Sequence, residues 1–194
     1  MLHQLPDTIR STMQALVSGL LVILGDRLVG VYLGGSLTMG DFCEATSDVD
    51  FLVVMDGKLS QEDGLAVTQL HHELRRRFPD AARLEGDYAP REMLTAEGTT
   101  APVPGCERGV FVPRVGEILL SADNIYNMRE QGIACFGPEP QAVFPVVSGE
   151  HVRKSVRQFL AEVRGAAETA QEAACEFLNL LRSRLRPGDR HADD

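Results

Sequence analysis

The stretch VGVYLGGSLTMGDFCEATSDVDFLVV, residues 29–54, decides the architecture. It is bounded by apolar runs at Leu28–Leu33 and Val49–Met55, each with apolar side chains at consecutive positions. Such runs read as strands buried on both faces of a sheet. Between them lies a glycine-bearing loop, GGSLTMGDFCEATSD. Residues i and i+2 of a strand point to one side, so Asp48 and Asp50 present two carboxylates together at the entry to the second strand. Holding like charges close in a partly desolvated place costs several kcal/mol unless a cation is shared or one carboxyl stays protonated. A divalent ion with hard oxygen ligands resolves the conflict. Magnesium, which binds through one or two carboxylates plus substrate phosphates, is the natural choice, with manganese as a substitute.

Gly34 and Gly35 supply the other half of the pattern. Without a Cβ, their backbone N–H groups can approach phosphate oxygens closely, and the Ser36 hydroxyl can donate as well. A lone Gly-Gly-Ser is usually a tight turn, and a lone Asp-x-Asp is usually a solvated pair or a cap. The joint order is more specific: strand, Gly-Gly-Ser, 11 residues from Leu37 to Ser47, Asp-Val-Asp, apolar strand. That order points to nucleotide and metal chemistry.

Working outward, Ile9, Met13, Leu16, Leu20 and Ile23 recur at steps of three and four, which predicts a helix from Pro6-Asp7 to Gly25. Ser60 with Asp63 forms a capping-box pattern ahead of Val67, Leu70, Leu74 and Phe78, a second helix ended by Pro79. Ala82–Tyr88 reads as a third strand and Thr99–Gly105 as a loop. Ala122–Gln131 reads as helical, Ile133–Phe136 as a short strand, and Gly137-Pro138-Glu139-Pro140 as a breaker. From Glu150 onward the pattern is helical again. Val152, Val156, Phe159, Leu160 and Val163 share one face, and Ala174, Phe177, Leu178 and Leu181 another. The expected fold class is α/β (α+β), a small mixed sheet flanked by helices and followed by a short C-terminal helical segment. Domains are expected at 1–148 and 149–194, the second a partial helical domain with a polar, disordered tail, RPGDRHADD.

With 44% apolar residues the chain can build a buried core, and its formal charge of −9 disfavours a broad nucleic-acid-binding surface. Cys43, Cys106, Cys135 and Cys175 lie far apart with no metal-ligand spacing, as expected of reduced cytosolic thiols. The N-terminus lacks a basic region followed by an apolar one, and the run Leu20–Leu24 is too short to cross a bilayer, so the expected location is cytoplasmic without a membrane partner. His71 and His72, beside Glu73 and Arg75–Arg77, read as part of a solvated helix face. Arg153, Lys154 and Arg157 could reach a triphosphate, but read at least as readily as a surface charge run.

Residues 29–54 resemble the GS…DxD signature of the polymerase-beta-like nucleotidyltransferases, and the Ser47–Asp50 segment matches the SDxD form of their aminoglycoside adenylyltransferase branch. The resemblance implies that Gly35 and Ser36 hold a triphosphate, that Ser47 supports it, and that Asp48 and Asp50 bind two magnesium ions. It also implies a third carboxylate on the next strand, both metal ligand and catalytic base. Glu85 in RLEGDY matches best, with Asp87 as the alternative, since positions 85 and 87 share a face. The stretch REQGIACFGPEPQAVFPVVSGEHVRKSV, residues 129–156, resembles the same branch where it leads into its C-terminal helical domain.

Two departures concern the acceptor. The branch carries a longer helical bundle than the 46 residues from 149 to 194, and its streptomycin-modifying members place a tryptophan against the drug, whereas this sequence has none. The implied reaction is AMP transfer from ATP to a hydroxyl of a small acceptor, an aminoglycoside among the candidates, as in antibiotic resistance. The alternatives are a catalytically weak nucleotide-binding or regulatory module and AMP transfer to a protein partner. A homo-oligomer or partner chain could complete the helical region.

Overall fold

The computed structural model describes residues 5–44, 46–99, 101–113, 120–161, 163–165 and 169. Its elements in chain order are α1 (Asp7–Leu24), β1 (Leu28–Leu33), α2 (Gly35–Met39), β2 (Val49–Met55), α3 (Gln61–Arg77) and β3 (Leu84–Pro90). There follow β4 (Gly105–Glu107), β5 (Val110–Val112), α4 (Ala122–Gln131), β6 (Ile133–Phe136), α5 (Pro140–Val143) and a helix over 149–161, α6. The strands form one mixed sheet in the order β5-β4-β3-β2-β1-β6. Only β2 and β3 run parallel, joined by the α3 crossover, while every other neighbouring pair is antiparallel.

Strand alternation sorts the side chains into two cores. On one face Phe51, Val53 and Met55 of β2 join Val31 and Leu33 of β1 and the α1 stripe Ile9, Met13, Leu16, Leu20 and Leu24. On the other, Leu52 and Val54 join Tyr32, Ala89, Ile125 of α4 and Phe144. Both faces of β2 are therefore covered, as its unbroken apolar run predicts. α1 is long and apolar enough, by length and composition, to span a membrane. Its apolar stripe is instead buried in the first core.

Local signals account for the helix ends. The Ser60 hydroxyl accepts from the Asp63 N–H at 3.1 Å, and the Asp63 carboxylate accepts from the Ser60 N–H at 2.8 Å, closing the capping box of α3. The same carboxylate takes Arg27 Nη2 at 2.8 Å, tying α3 to the turn ahead of β1. Gly25, with φ 55°, ends α1. The expected loop after β1 instead begins with α2, a helix of 5 residues closed by Gly40 in the left-handed conformation. Its brevity leaves no room for an amphipathic period, so pattern reading passes over it.

Three features of the chain depart from, or lie beyond, the expectations. The first is β4 and β5, a hairpin that opens at the last residue of the expected Thr99–Gly105 loop. Each strand has 3 residues, too few to show a period. The second is His71, which is not on a solvated face. Helical geometry stacks it on the buried row Asp63, Val67, His71 and Leu74, leaving His72 outside. The ring lies between Phe51 and Phe111, its Nε2 is 2.5 Å from the Tyr88 hydroxyl, and Cys106 Sγ is 3.5 Å from its Nδ1. The third is the expected helix face at Ala174, Phe177, Leu178 and Leu181, which lies outside the described residues, as does the tail. The chain divides into two units, Met1–Arg153 and Lys154–Asp194. Within the second, Phe159 and Leu160 of α6 are exposed, at 61% and 59%.

Burial pushes the His71 imidazole from its ordinary 6.5 down to about 4, because the charged ring would lose its hydration. Its folded value lies below its unfolded one, so the unfolded chain takes up the proton first. The stability that the neutral ring allows is complete above about pH 6.5 and is lost as the pH falls towards 4. Over that window the loss is about 3 kcal/mol. Urea unfolding at pH 7.5 and 4.5 should show a steeper acid loss in the parent than in His71→Phe, the carboxylates titrating alike in both. Equal slopes in the two proteins would contradict the buried, neutral assignment.

Candidate functional site

One end of the sheet gathers the polar residues that the strands expose. Asp50, at the second position of β2, pairs in register with Glu85, at the second position of β3. Asp50 shares a strand face with Leu52 and Val54, and Glu85 with Asp87 and Ala89, so all three acids face α4 and α5 rather than α1 and α3. There they line a cavity of about 930 Å³, together with Gly34, Gly35 and residues of α4.

Gly35 is fitted closely to this carboxylate row. Its φ is 60°, and a Cβ built on it would fall 1.8 Å from Asp50 Oδ2. No other residue type fits there without displacing Asp50. The Gly34 N–H donates to the Asp50 carbonyl at 3.0 Å, joining the β1–α2 corner to β2 at the same point. Gly86, beside Glu85, is equally confined: a Cβ there would meet the Phe51 carbonyl at 2.0 Å.

The electrostatics separate the acids. Burial raises the Asp50 pKa above the usual carboxylate range, and the neighbouring Asp48 charge raises it further. Glu85 is raised by burial first, then by Asp48 and Asp50, and drawn back by Arg108. Asp87, one pleat deeper, is pushed up to about 6 by burial alone. Asp48, Asp50 and Glu85 therefore form one coupled set of like charges, and Asp87 stands apart from it.

The remaining predicted residues are placed as follows. Asp48 is exposed and does not line the cavity, but its charge acts on Asp50 and Glu85. Ser36 lies half-buried in the first turn of α2 and does not line the cavity. The Ser47 hydroxyl accepts from the Cys43 N–H at 2.9 Å, and the Ser47 carbonyl accepts from Arg83 Nε at 2.9 Å. It thus shapes the loop ahead of Asp48. Among the described residues no three Asp, Glu, His or Cys side chains converge into a ready cage for an ion.

Sequence reasoning missed the cavity's other walls. Asn124, Asn127 and Met128 line it from α4, and Glu107 and Arg108 from the β4–β5 hairpin, with Arg75 of α3 beside them. The hairpin carried no clear signal, because Arg108-Gly109, between Glu107 and Val110, is not among the dipeptides that mark a two-residue turn.

No protein-family model matches the chain, nor does the sequence of any curated protein. Solved structures do match in fold. The spectinomycin adenyltransferase AAD(9) from Enterococcus faecialis, determined with ATP and spectinomycin, superposes at a TM-score of 0.57 with 17% identity. The match covers 78% of this chain and 66% of that one, so the chain spans about two thirds of its neighbour. A toxin-antitoxin structure with AMP-PNP matches at 12% identity and a TM-score of 0.37 over 84% of this chain and 98% of its own. A tri-AMPylated Shewanella oneidensis HEPN toxin in complex with an MNT antitoxin matches at 11% identity and 0.35 over 84% and 97%.

Replacing Gly35 by alanine should cost about 1–2 kcal/mol for the left-handed backbone alone, roughly 2–8 °C in Tm. Displacement of Asp50 adds to that. In an Asp50→Ala background, where the crowding carboxylate is gone, the same change should cost less by about 1 kcal/mol or more. Thermal unfolding of the four proteins checks this. Additive effects would show that Gly35 and Asp50 are not in contact.

Proposed function

We propose that this chain, which has the polymerase-beta-like nucleotidyltransferase fold, transfers AMP from ATP to a hydroxyl of a small acceptor, with residues 1–148 as its catalytic unit. The observation that carries the reading is the register of Asp50 with Glu85 beside a glycine corner moulded onto Asp50. Asp50 and Glu85, paired carboxylates that line a cavity and whose pKa values are raised, are the kind of arrangement that cation-dependent phosphate chemistry uses.

The donor set suits a divalent ion. Its oxygens are hard, its charges repel one another in the absence of a cation, and magnesium completes its shell from phosphates and water rather than from a protein cage. Asp48, Asp50 and Glu85 would hold magnesium, or manganese in its place. When bound, the metal supplies charge neutralisation at the phosphates and acidity for the attacking hydroxyl.

Each residue then has a task. The backbone of Gly35 and the hydroxyl of Ser36 take the triphosphate at the β1 end, and Ser47 holds the loop that presents Asp48. Glu85 accepts the proton of the attacking hydroxyl. Its register opposite Asp50 and its coupling to Asp48 favour it over Asp87, whose raised pKa comes from burial alone. The α-phosphorus is attacked in line as pyrophosphate leaves, and rate comes from position and electrostatics. An aminoglycoside-type acceptor draws support from the ATP- and spectinomycin-bound neighbour of the same fold. Exposed apolar residues on α6, Val156, Phe159 and Leu160, favour a second reading, in which the acceptor is a protein partner.

Asp50→Asn should lower pyrophosphate release by at least about 10³-fold, since it removes a ligand of the reacting centre. The variant should remain folded, with an unchanged or higher Tm, because a repelled and partly desolvated carboxylate has been neutralised. Pyrophosphate release over hydroxylated small molecules, with mass spectrometry for the gain of AMP, gives the readout. Turnover above about a tenth of the parent's in Asp50→Asn would sink the assignment. AMP found only on a co-purified protein would favour the second reading.

A further inference from the structure

The β4–β5 connection is two residues long, because Glu107 pairs with Val110 and leaves Arg108 and Gly109 at the turn. Both have positive φ, 48° and 73°. Type I′ turns require this combination, and Asn-Gly, Asp-Gly or Gly-Gly adopt it most readily. Arg108 is the only non-glycine residue with positive φ among the described residues. A long side chain in the left-handed region meets steric opposition that glycine and asparagine largely avoid. Strain kept at a cavity wall points to a use for the side chain it aims.

Position suggests that use. The Gly109 N–H donates to the Leu84 carbonyl at 2.8 Å, which sets the turn one residue from Glu85. With the strand order β4-β3-β2-β1, the end of the sheet presents Arg108, Glu85, Asp50 and Gly35 in sequence, all lining the cavity. Gly35 is at one end of that row and Arg108 at the other. Arg75 of α3 joins Arg108: its Cγ lies 3.1 Å from where a Cβ on Gly109 would be, so its stem packs on the turn, and it lines the same cavity. Neither arginine forms an ion pair among the described residues.

We infer that Arg108 and Arg75 form an anion-binding rim on the acceptor side of the cavity, and that the acceptor is a hydroxylated molecule bearing a phosphate or carboxylate. The inference rests on the nucleotide occupying the Gly35 end, as proposed above. Guanidinium groups bind such anions through charge-assisted, bidentate hydrogen bonds, whereas a polycationic drug would meet two like charges there. Among the described residues Glu85 and Glu107 are the acids beside this rim, and the Arg108 charge favours the ionised form of Glu85. The strained turn holds one guanidinium beside Glu85, so a bound anion would carry its hydroxyl towards the proposed base.

The test titrates the full chain, saturated with magnesium and a non-hydrolysable ATP analogue, with inorganic phosphate and, in a parallel arm, with malonate, followed by two-dimensional NMR. Saturable binding of at least one anion is expected, with shifts at the Gly109 amide. Arg108→Asn suits the turn, so it should fold, raise Tm by roughly 2–4 °C, and weaken the anion at least about tenfold while leaving analogue affinity within about twofold. Arg75→Gln should weaken it likewise. Which anion binds distinguishes phosphate from carboxylate acceptors. Absence of saturable binding in the parent, or equal affinity in Arg108→Asn, would overturn the rim. Failure of the analogue to bind would instead overturn the nucleotide reading, and the same anion titrations without it would still decide the role of Arg108.

Discussion

The approach of Gly35 to the Asp50 carboxylate, with Glu85 held opposite in register, is the constraint on which the rest of the site depends. Like charges in a partly buried place push apart, and an exposed strand would yield to that push. β2 cannot yield. Phe51, Val53 and Met55 are locked into one core and Leu52 and Val54 into the other, so a slip of one residue would drive the whole apolar set to the wrong face. The burial that builds the sheet thus also holds its acids in a conflict that a bound cation would relieve.

The two faces divide the labour. Beneath the sheet, α1 and α3 close a dense core in which His71, Tyr88 and Cys106 pair with one another, Cys106 also reaching the cavity wall. Above it, α4 and α5 cover the far ends of the strands and leave the cavity open over the acid end. Glycine makes this arrangement fit. Gly86 allows Phe51 of β2 to pass beside β3, and Gly34 gives room to Met128 of α4. Each removes a side chain where two elements approach, and the row of acids stays level as a result.

Much of this was legible in the sequence, where local physics decides. The apolar period of α1, the Ser60–Asp63 box of α3 and the unbroken run of β2 each specify an element through interactions within a few residues. Features set by distant contacts were not legible. Period-two alternation places positions 85 and 87 on one face and cannot rank them, whereas the β2–β3 register sets Glu85 beside Asp50 and Asp87 beside Leu52. The burial of His71 depends on Phe111 and Tyr88, far along the chain, and a polar residue on an apolar helix row has no signature of its own. β4 and β5 are too short for a period and are held by pairing with β3, a non-local bond pattern.

The claim that these carboxylates act as one cation site is tested most directly by titrating manganese, followed by electron paramagnetic resonance, with and without a non-hydrolysable ATP analogue. Tight binding is expected only with the analogue, lost in Glu85→Gln and retained in Asp87→Asn. Binding that survives Glu85→Gln, or falls equally in Asp87→Asn, would contradict it.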